Sequence, residues 1–199
     1  DDVRLYSRAL SQADVSNLYN SYNSQISLGG DGLSSGINLQ KGLVGYWPMN
    51  DGSTTVAKDA TPYSDNGTIT GDTLTSDRKS RASSAYSFNG TSNYITIPNN
   101  NVLAITGSLT ISMWVDVTNN SNYQPIISKG QSSEYELAAD FRSGATTLSF
   151  KDTGCTESAT GFFTGYTGTW GHRTVATDCR HAYFHRNGAL VTTTLTGSA

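Results

Sequence analysis

From about residue 42 onward, short runs rich in β-branched and aromatic residues alternate with polar turn dipeptides, and that rhythm restricts the chain to an all-β fold. The runs occupy residues 43–48, 85–88, 94–97, 109–117, 126–128, 135–141, 147–151, 161–164, 170–177, 182–186 and 190–195. Asn66-Gly67, Asn89-Gly90, Ser143-Gly144 and Asn187-Gly188 punctuate them, and such dipeptides supply the positive φ angles of tight hairpins. Many short strands with polar turns predict a two-sheet antiparallel sandwich of jelly-roll type. At 199 residues the chain has room for one such core with appendages. A net charge of -3 and a pI near 5.5 provide no positive field for a phosphate backbone, which argues against nucleic acid as a partner.

The N-terminal 22 residues read differently. Val3 and Leu5 alternate with Asp2, Arg4 and Tyr6, the period of a half-buried strand. Ser11 stands three residues before Asp14, an arrangement that caps a helix start. Val15, Leu18, Tyr19 and Tyr22 then form one apolar stripe, so a helix is expected from Gln12 to about Tyr19. Residues 23–41 have linker composition, with Gly29-Gly30-Asp31-Gly32 and Ser34-Ser35-Gly36 among isolated aliphatics. The organisation expected is therefore a strand and helix over 1–22, a linker over 23–41 and a sandwich over 42–199. No apolar stretch is long enough to span a bilayer, and no leader precedes Asp1. A removed leader or a window cut from a longer protein is expected.

Four segments carry a family resemblance. Gly42-Leu43-Val44-Gly45-Tyr46-Trp47-Pro48-Met49-Asn50-Asp51-Gly52 resembles the first strand of the concanavalin A-like, laminin-G-like jelly rolls. Ala85-Tyr86-Ser87-Phe88-Asn89-Gly90-Thr91-Ser92-Asn93-Tyr94-Ile95-Thr96-Ile97-Pro98 is similar to their second signature, followed by Leu109-Thr110-Ile111-Ser112-Met113-Trp114-Val115. Gly168-Thr169-Trp170-Gly171-His172, with the hairpin at Asn187-Gly188, matches a fourth. The family's closing strand and helix resemble Asp2-Val3-Arg4-Leu5-Tyr6-Ser7-Arg8-Ala9-Leu10-Ser11, which here stand first, and a strand that should precede them is expected after Ala199. The resemblance therefore implies a sandwich one strand short. The strand Asp2, Val3, Arg4, Leu5, Tyr6 is expected to close a preceding repeat or a neighbouring subunit, with return to its own sandwich ranked lower.

The same resemblance implies calcium, held by Asn50 or Asp51, by Asn89, and by Asp2 with Asp1 as its rival; as plain residues these are turn formers. It also covers glycoside hydrolases, which need two acids across a sugar cleft. Glu134, Glu136 and Asp140 share a strand face, but their spacing resembles the non-catalytic members, so no enzyme is expected. Strand counting puts Cys155 and Cys179 in turns at one end of a sheet, where a disulfide is feasible and free buried thiols are the alternative. His181 and His185 share a face without a third ligand and read as surface or hairpin residues; His172 reads as structural. Tyr63, Tyr123, Phe162, Phe163 and Tyr166 are the aromatics available to stack on a ligand, whereas Trp47, Trp114 and Trp170 belong to the core. The expected protein is a secreted or cell-surface, non-catalytic adhesion module. It would bind a glycan or a surface protein, associate with itself or occur in tandem repeats, and not insert into a membrane. The alternative is a filament subunit that donates its N-terminal strand.

Overall fold

A computed structural model describes residues 1–21, 38–130, 134–152, 155–178 and 180–195. The strands are β1 (Val3–Tyr6), β2 (Leu43–Trp47), β3 (Val56–Ala57), β4 (Gly67–Thr70), β5 (Thr73–Thr75), β6 (Ala85–Ser87), β7 (Tyr94–Thr96), β8 (Leu109–Val115), β9 (Tyr123–Lys129), β10 (Tyr135–Asp140), β11 (Thr147–Asp152), β12 (Cys155–Ala159), β13 (Gly171–Thr177), β14 (His181–Arg186) and β15 (Ala189–Leu195); a single α-helix, α1 (Gln12–Ser21), follows β1. The six-stranded sheet has the order β15-β14-β13-β8-β1-β2. The remaining strands form a four-stranded sheet, β12-β11-β10-β9, a three-stranded one, β3-β4-β7, and the pair β5-β6. All pairings are antiparallel, as the turn chemistry predicts.

The main core is filled by alternate residues of the facing strands. Leu5, Leu109, Ile111, Met113, Val175 and Phe184 of the six-stranded sheet share one apolar cluster with Tyr135, Leu137, Ala139, Leu148 and Phe150 of the four-stranded sheet. Strand β1 belongs to this chain's own sheet, with Leu5 opposite Gly45 on one side and Ile111 on the other. That is the return to its own sandwich, the arrangement ranked below a neighbour on sequence grounds. It is also buried on both faces, not one: Leu5 points into the core, while Arg4 and Tyr6 are covered on the outer face.

The covering layer is α1. Ser11 and Asp14 form the expected capping box, Asp14 N–H donating to Ser11 Oγ at 3.2 Å and Ser11 N–H to Asp14 Oδ2 at 3.0 Å. Arg8 adds an ion pair to Asp14 at 3.0 Å. Val15 and Leu18 are fully buried and pack with Tyr6, Leu10, Leu39 and Trp114 in a second apolar cluster. Tyr22, the last residue of the stripe read from sequence, lies outside the described residues. Gln12 Nε2 and Ser16 Oγ both donate to Gly188 O, at 2.7 and 2.9 Å, and fasten the helix to the β14–β15 hairpin.

Two stretches differ from the sequence reading. Residues 161–164 are a turn, and the strand of that region is β12, beginning at Cys155. Strands β3, β4 and β5 lie outside the runs read from sequence, because elements of two to four residues carry little periodicity.

Candidate functional site

The outward side of the four-stranded sheet gathers the acids singled out by spacing. Glu136 opposes Lys151 across β10 and β11, and Asp140 opposes Tyr123 across β10 and β9. Each acid is held by a neighbour. Lys151 Nζ is 3.6 Å from Glu136 Oε1, Tyr123 donates its hydroxyl to the same carboxylate, and Lys129 pairs with Glu134. Arg142 engages Asp140 through Nε at 3.0 Å and Nη2 at 2.7 Å, and that guanidinium holds the carboxyl below its ordinary range. Burial and the bond to Glu136 push the Tyr123 phenol up. This is a tied polar face, with every one of the three acids engaged.

The candidate aromatics separate by environment. Phe162 and Phe163 are fully buried in the main core, Phe163 at 5.5 Å from the Phe141 ring, so they offer no surface to a ligand; the turn at 161–164 folds them inward. The Tyr123 ring is occupied by Arg142 at 4.8 Å and Lys151 at 5.1 Å. Tyr166 stacks on the Arg186 guanidinium at 3.9 Å. Tyr63 is half exposed on the loop between β3 and β4. Two further rings, Phe88 just past the end of β6 and Tyr94 at the start of β7, are 50% and 53% exposed.

Phe88 and Tyr94 flank the loop from β6 to β7, which stacks on the turn from β4 to β5. The register dictates this: β5 pairs with β6 and β4 with β7, Thr73 opposite Ser87 and Thr70 opposite Tyr94. Both chain reversals therefore fall at one end. Asn89 organises the upper loop, its Oδ1 accepting from the backbone N–H groups of Thr91, Ser92 and Asn93 at 2.9 to 3.1 Å. Asn93 Nδ2 donates down to Gly71 O, and Gly71 has φ +73°, where a Cβ would be strained and would meet the Asn93 amide at 3.1 Å. Asp72, next in the turn, is 8% exposed. Burial raises its carboxyl to about 6. A third strut is the Tyr86 hydroxyl, which donates to Ser53 O at 2.7 Å and whose phenol is pushed up by burial and by the Asp51 and Asp72 carboxylates.

Residues 89–199, more than half of the chain, match the Laminin_G_3 family of the concanavalin A-like lectin/glucanases superfamily. The chain belongs to that superfamily. No curated protein and no solved structure matches the chain. Laminin-G-like membership indicates a carbohydrate- or protein-binding module, and relatives of this kind are generally non-enzymatic and commonly extracellular. Among the described residues no helix is long and apolar enough to cross a membrane.

The calcium set implied by the laminin-G-like resemblance does not fit an ion in this arrangement. Asp2 is paired with Arg4 Nε at 3.0 Å and lies 3.9 Å from Arg78 Nη2, while Asp1 is bound by Arg78. Two guanidinium groups thus already neutralise the closing-strand acids. The Asn89 carbonyl is taken by three amides, and Asp51 is exposed and accepts from Ser53 N–H at 3.2 Å. Asn50 is exposed beside it. Among the described residues no three His, Cys, Asp or Glu side chains converge.

The other sequence candidates fall elsewhere. Cys179 and the Cys155 side chain lie outside the described residues. His185 is buried, not superficial, and His172 is buried with Nε2 2.8 Å from Ser112 Oγ under α1. Their polar row on the outer face includes Thr110 and Thr174, and it is shut off from solvent by the helix, so Ser112 and His172 form a packing pair. Burial lowers the His172 imidazole to about 3, keeping it neutral. A groove of about 330 Å³ opens between the start of α1 and the last hairpin, lined by Leu10, Gln12, Tyr183, His185 and Leu190 among others.

Proposed function

We propose that this chain is a non-catalytic, extracellular binding module that holds carbohydrate at the loop end formed by β4–β5 and β6–β7. The observation that carries the reading is the pair of half-exposed rings, Phe88 and Tyr94, on either side of one Asn-rich loop braced by its own hydrogen bonds. Exposed aromatic faces on a rigid loop offer apolar area at low ordering cost. The adjoining amides and hydroxyls of Asn89, Thr91 and Ser92 supply partners for sugar hydroxyls. Ion-paired acids on the four-stranded face support the non-catalytic part, since a general acid–base pair needs one carboxyl free to protonate and another free to accept.

Glycan-array screening followed by calorimetry on the full chain tests this. Binding to a soluble oligosaccharide should weaken at least tenfold in Phe88→Ala and in Tyr94→Ala, with unfolding midpoints unchanged. Glycan binding indifferent to both substitutions would remove the site; capture of a surface protein with no glycan bound would replace the ligand class. Release of reducing ends from a polysaccharide panel, abolished by Glu136→Gln, would overturn the non-catalytic reading.

A further inference from the structure

The turn under the ring-bearing loop holds a carboxyl group that the fold leaves without donors. Both oxygens of Asp72 are shut off from solvent, and neither has a hydrogen-bond partner among the described residues. Other buried acids are treated differently. Asp59 accepts from Tyr46 N–H, Thr61 N–H, Thr61 Oγ1 and Asp65 N–H, and Asp77 accepts from Arg81 Nε, Lys79 N–H and Arg81 N–H. A carboxylate sealed away without such partners takes up a proton in preference to keeping its charge.

The surroundings favour the neutral acid. Tyr86 of β6 feels the Asp72 and Asp51 carboxylates together, so the charged neighbour on that side is a second acid. The β6–β7 loop presents Asn93, whose Oδ1 is also solvent-shielded and without a donor among the described residues. No cation offsets the burial that raises the Asp72 carboxyl. Position gives the proton leverage. Thr70 pairs with Tyr94 and Thr73 with Ser87, so Gly71 and Asp72 make the whole reversal between β4 and β5. The next step of the ladder beyond Thr73 and Ser87 runs from Asp72 to Phe88. The turn is thus bracketed by the two exposed rings, and Gly71 O, one residue before Asp72, receives the Asn93 strut.

We propose that Asp72 is a proton-operated latch. Neutral, it keeps the β4–β5 turn closed beneath the β6–β7 loop; ionised, it admits water, the bond from Asn93 to Gly71 parts, and the loop that carries Phe88 and Tyr94 comes free. Release of a ligand by this latch rests on the ring platform proposed above, but the latch itself does not. The closed turn holds the carboxyl at about 6, whereas an open, hydrated one returns to the ordinary value of about 3.9. Closing therefore takes up a proton between those values. The advantage of the closed form is complete below about pH 4 and is lost as pH rises through 6, a change of roughly a hundredfold in the closing equilibrium.

Amide hydrogen exchange on the full chain, with rates corrected for intrinsic chemistry, reads the latch without any ligand. The Thr91, Ser92 and Asn93 amides, which bond to Asn89, should lose between about tenfold and a hundredfold of their protection from pH 4 to pH 7. The loss is measured relative to the Leu137 and Phe150 amides of the four-stranded sheet. Asp72→Asn should keep the pH 4 protection at both values. Carbon-13 shifts of the Asp72 carboxyl should titrate near 6 in the wild type, a reading that needs no substitution. Loop protection unchanged across this range, or lost equally in Asp72→Asn, would overturn the proposal, as would an Asp72 carboxyl that titrates at its ordinary value. A chain that passes these tests but binds no glycan would refute the carbohydrate reading and leave the latch standing.

Discussion

Replacing Leu18 by Ala measures whether the N-terminal strand and helix are part of the folded core or an attachment to it. Leu18 is fully buried on the face of α1 that meets Tyr6, Leu10, Val15, Leu39 and Trp114. The substitution removes three carbons from water-free surroundings, roughly 2–3 kcal/mol at about 0.8 kcal/mol per methylene. Neighbours held by the six-stranded sheet cannot collapse fully into the space, so a cavity term brings the expected loss to about 3–4 kcal/mol, within the range seen for buried leucines. For a chain of this size that is a fall in unfolding midpoint of roughly 6–16 °C. Urea titration followed by tryptophan fluorescence is the assay, because Trp114 lies under the helix with its ring 5.7 Å from Tyr19 and reports locally as well as globally. A loss below about 1 kcal/mol, or loss of the Trp114 signal at lower urea than the far-ultraviolet signal, would refute the view that α1 and the sandwich unfold as one unit.

Three further outcomes follow from the same geometry. His172 is held neutral to about pH 3 in the folded chain but protonates near 6.5 when unfolded. Its contribution is therefore complete above that unfolded value and lost as pH falls toward 3; His172→Gln should flatten this part of a stability-against-pH curve measured by urea titration. Asp72 works in the opposite sense. Its folded value of about 6 lies above the unfolded one near 3.9, so stability should drop as pH rises from 4 to 6, a slope that Asp72→Asn removes. Arg173 is buried over Phe162 and Phe163, and burial lowers its guanidinium to about 10, so the charge persists at neutral pH. Its Nη1 donates to His172 O at 3.2 Å and Asn187 Oδ1 at 3.5 Å, so Arg173→Met, which removes both bonds with the charge, should cost about 1–3 kcal/mol by thermal unfolding; unchanged stability would show that desolvation of the charge offsets those bonds.

The strand rhythm, the capping box at Ser11 and Asp14, and the alternation of core residues were legible because each is a local pattern with a local cause. The second buried face of β1 was not. Whether Arg4 and Tyr6 meet water depends on α1 folding back across the sheet, which no period of two can express. Phe162 and Phe163 misled for a related reason: in a strand-like run beside loops, nothing local says which way the rings face, and the packing against Phe141 shows them turned inward. At the candidate site Asn89 was found through its turn signal. Asp72 escaped because nothing in Gly71-Asp72-Thr73 distinguishes a solvated turn aspartate from a buried one; that difference is set by Asn93, twenty-one positions away. Phe88 and Tyr94 escaped because each sits at the end of a strand-like run, and a run of β-formers does not say which of its rings faces solvent.

The position of β1 between β2 and β8 sets an order of events during synthesis. Strand β2 joins the six-stranded sheet through β1 alone, and β1 cannot gain its second partner until Ile111, opposite Leu5, has been made. At about 5–20 residues per second, the stretch from the end of β2 at Trp47 to Ile111 takes roughly 3–13 s to emerge. For that interval the nascent chain carries a two-stranded ribbon with one open apolar edge and a helix with nothing yet to lie on. Arrival of β8 is the commitment step, and before it the ribbon is as available to a neighbouring nascent chain as to its own.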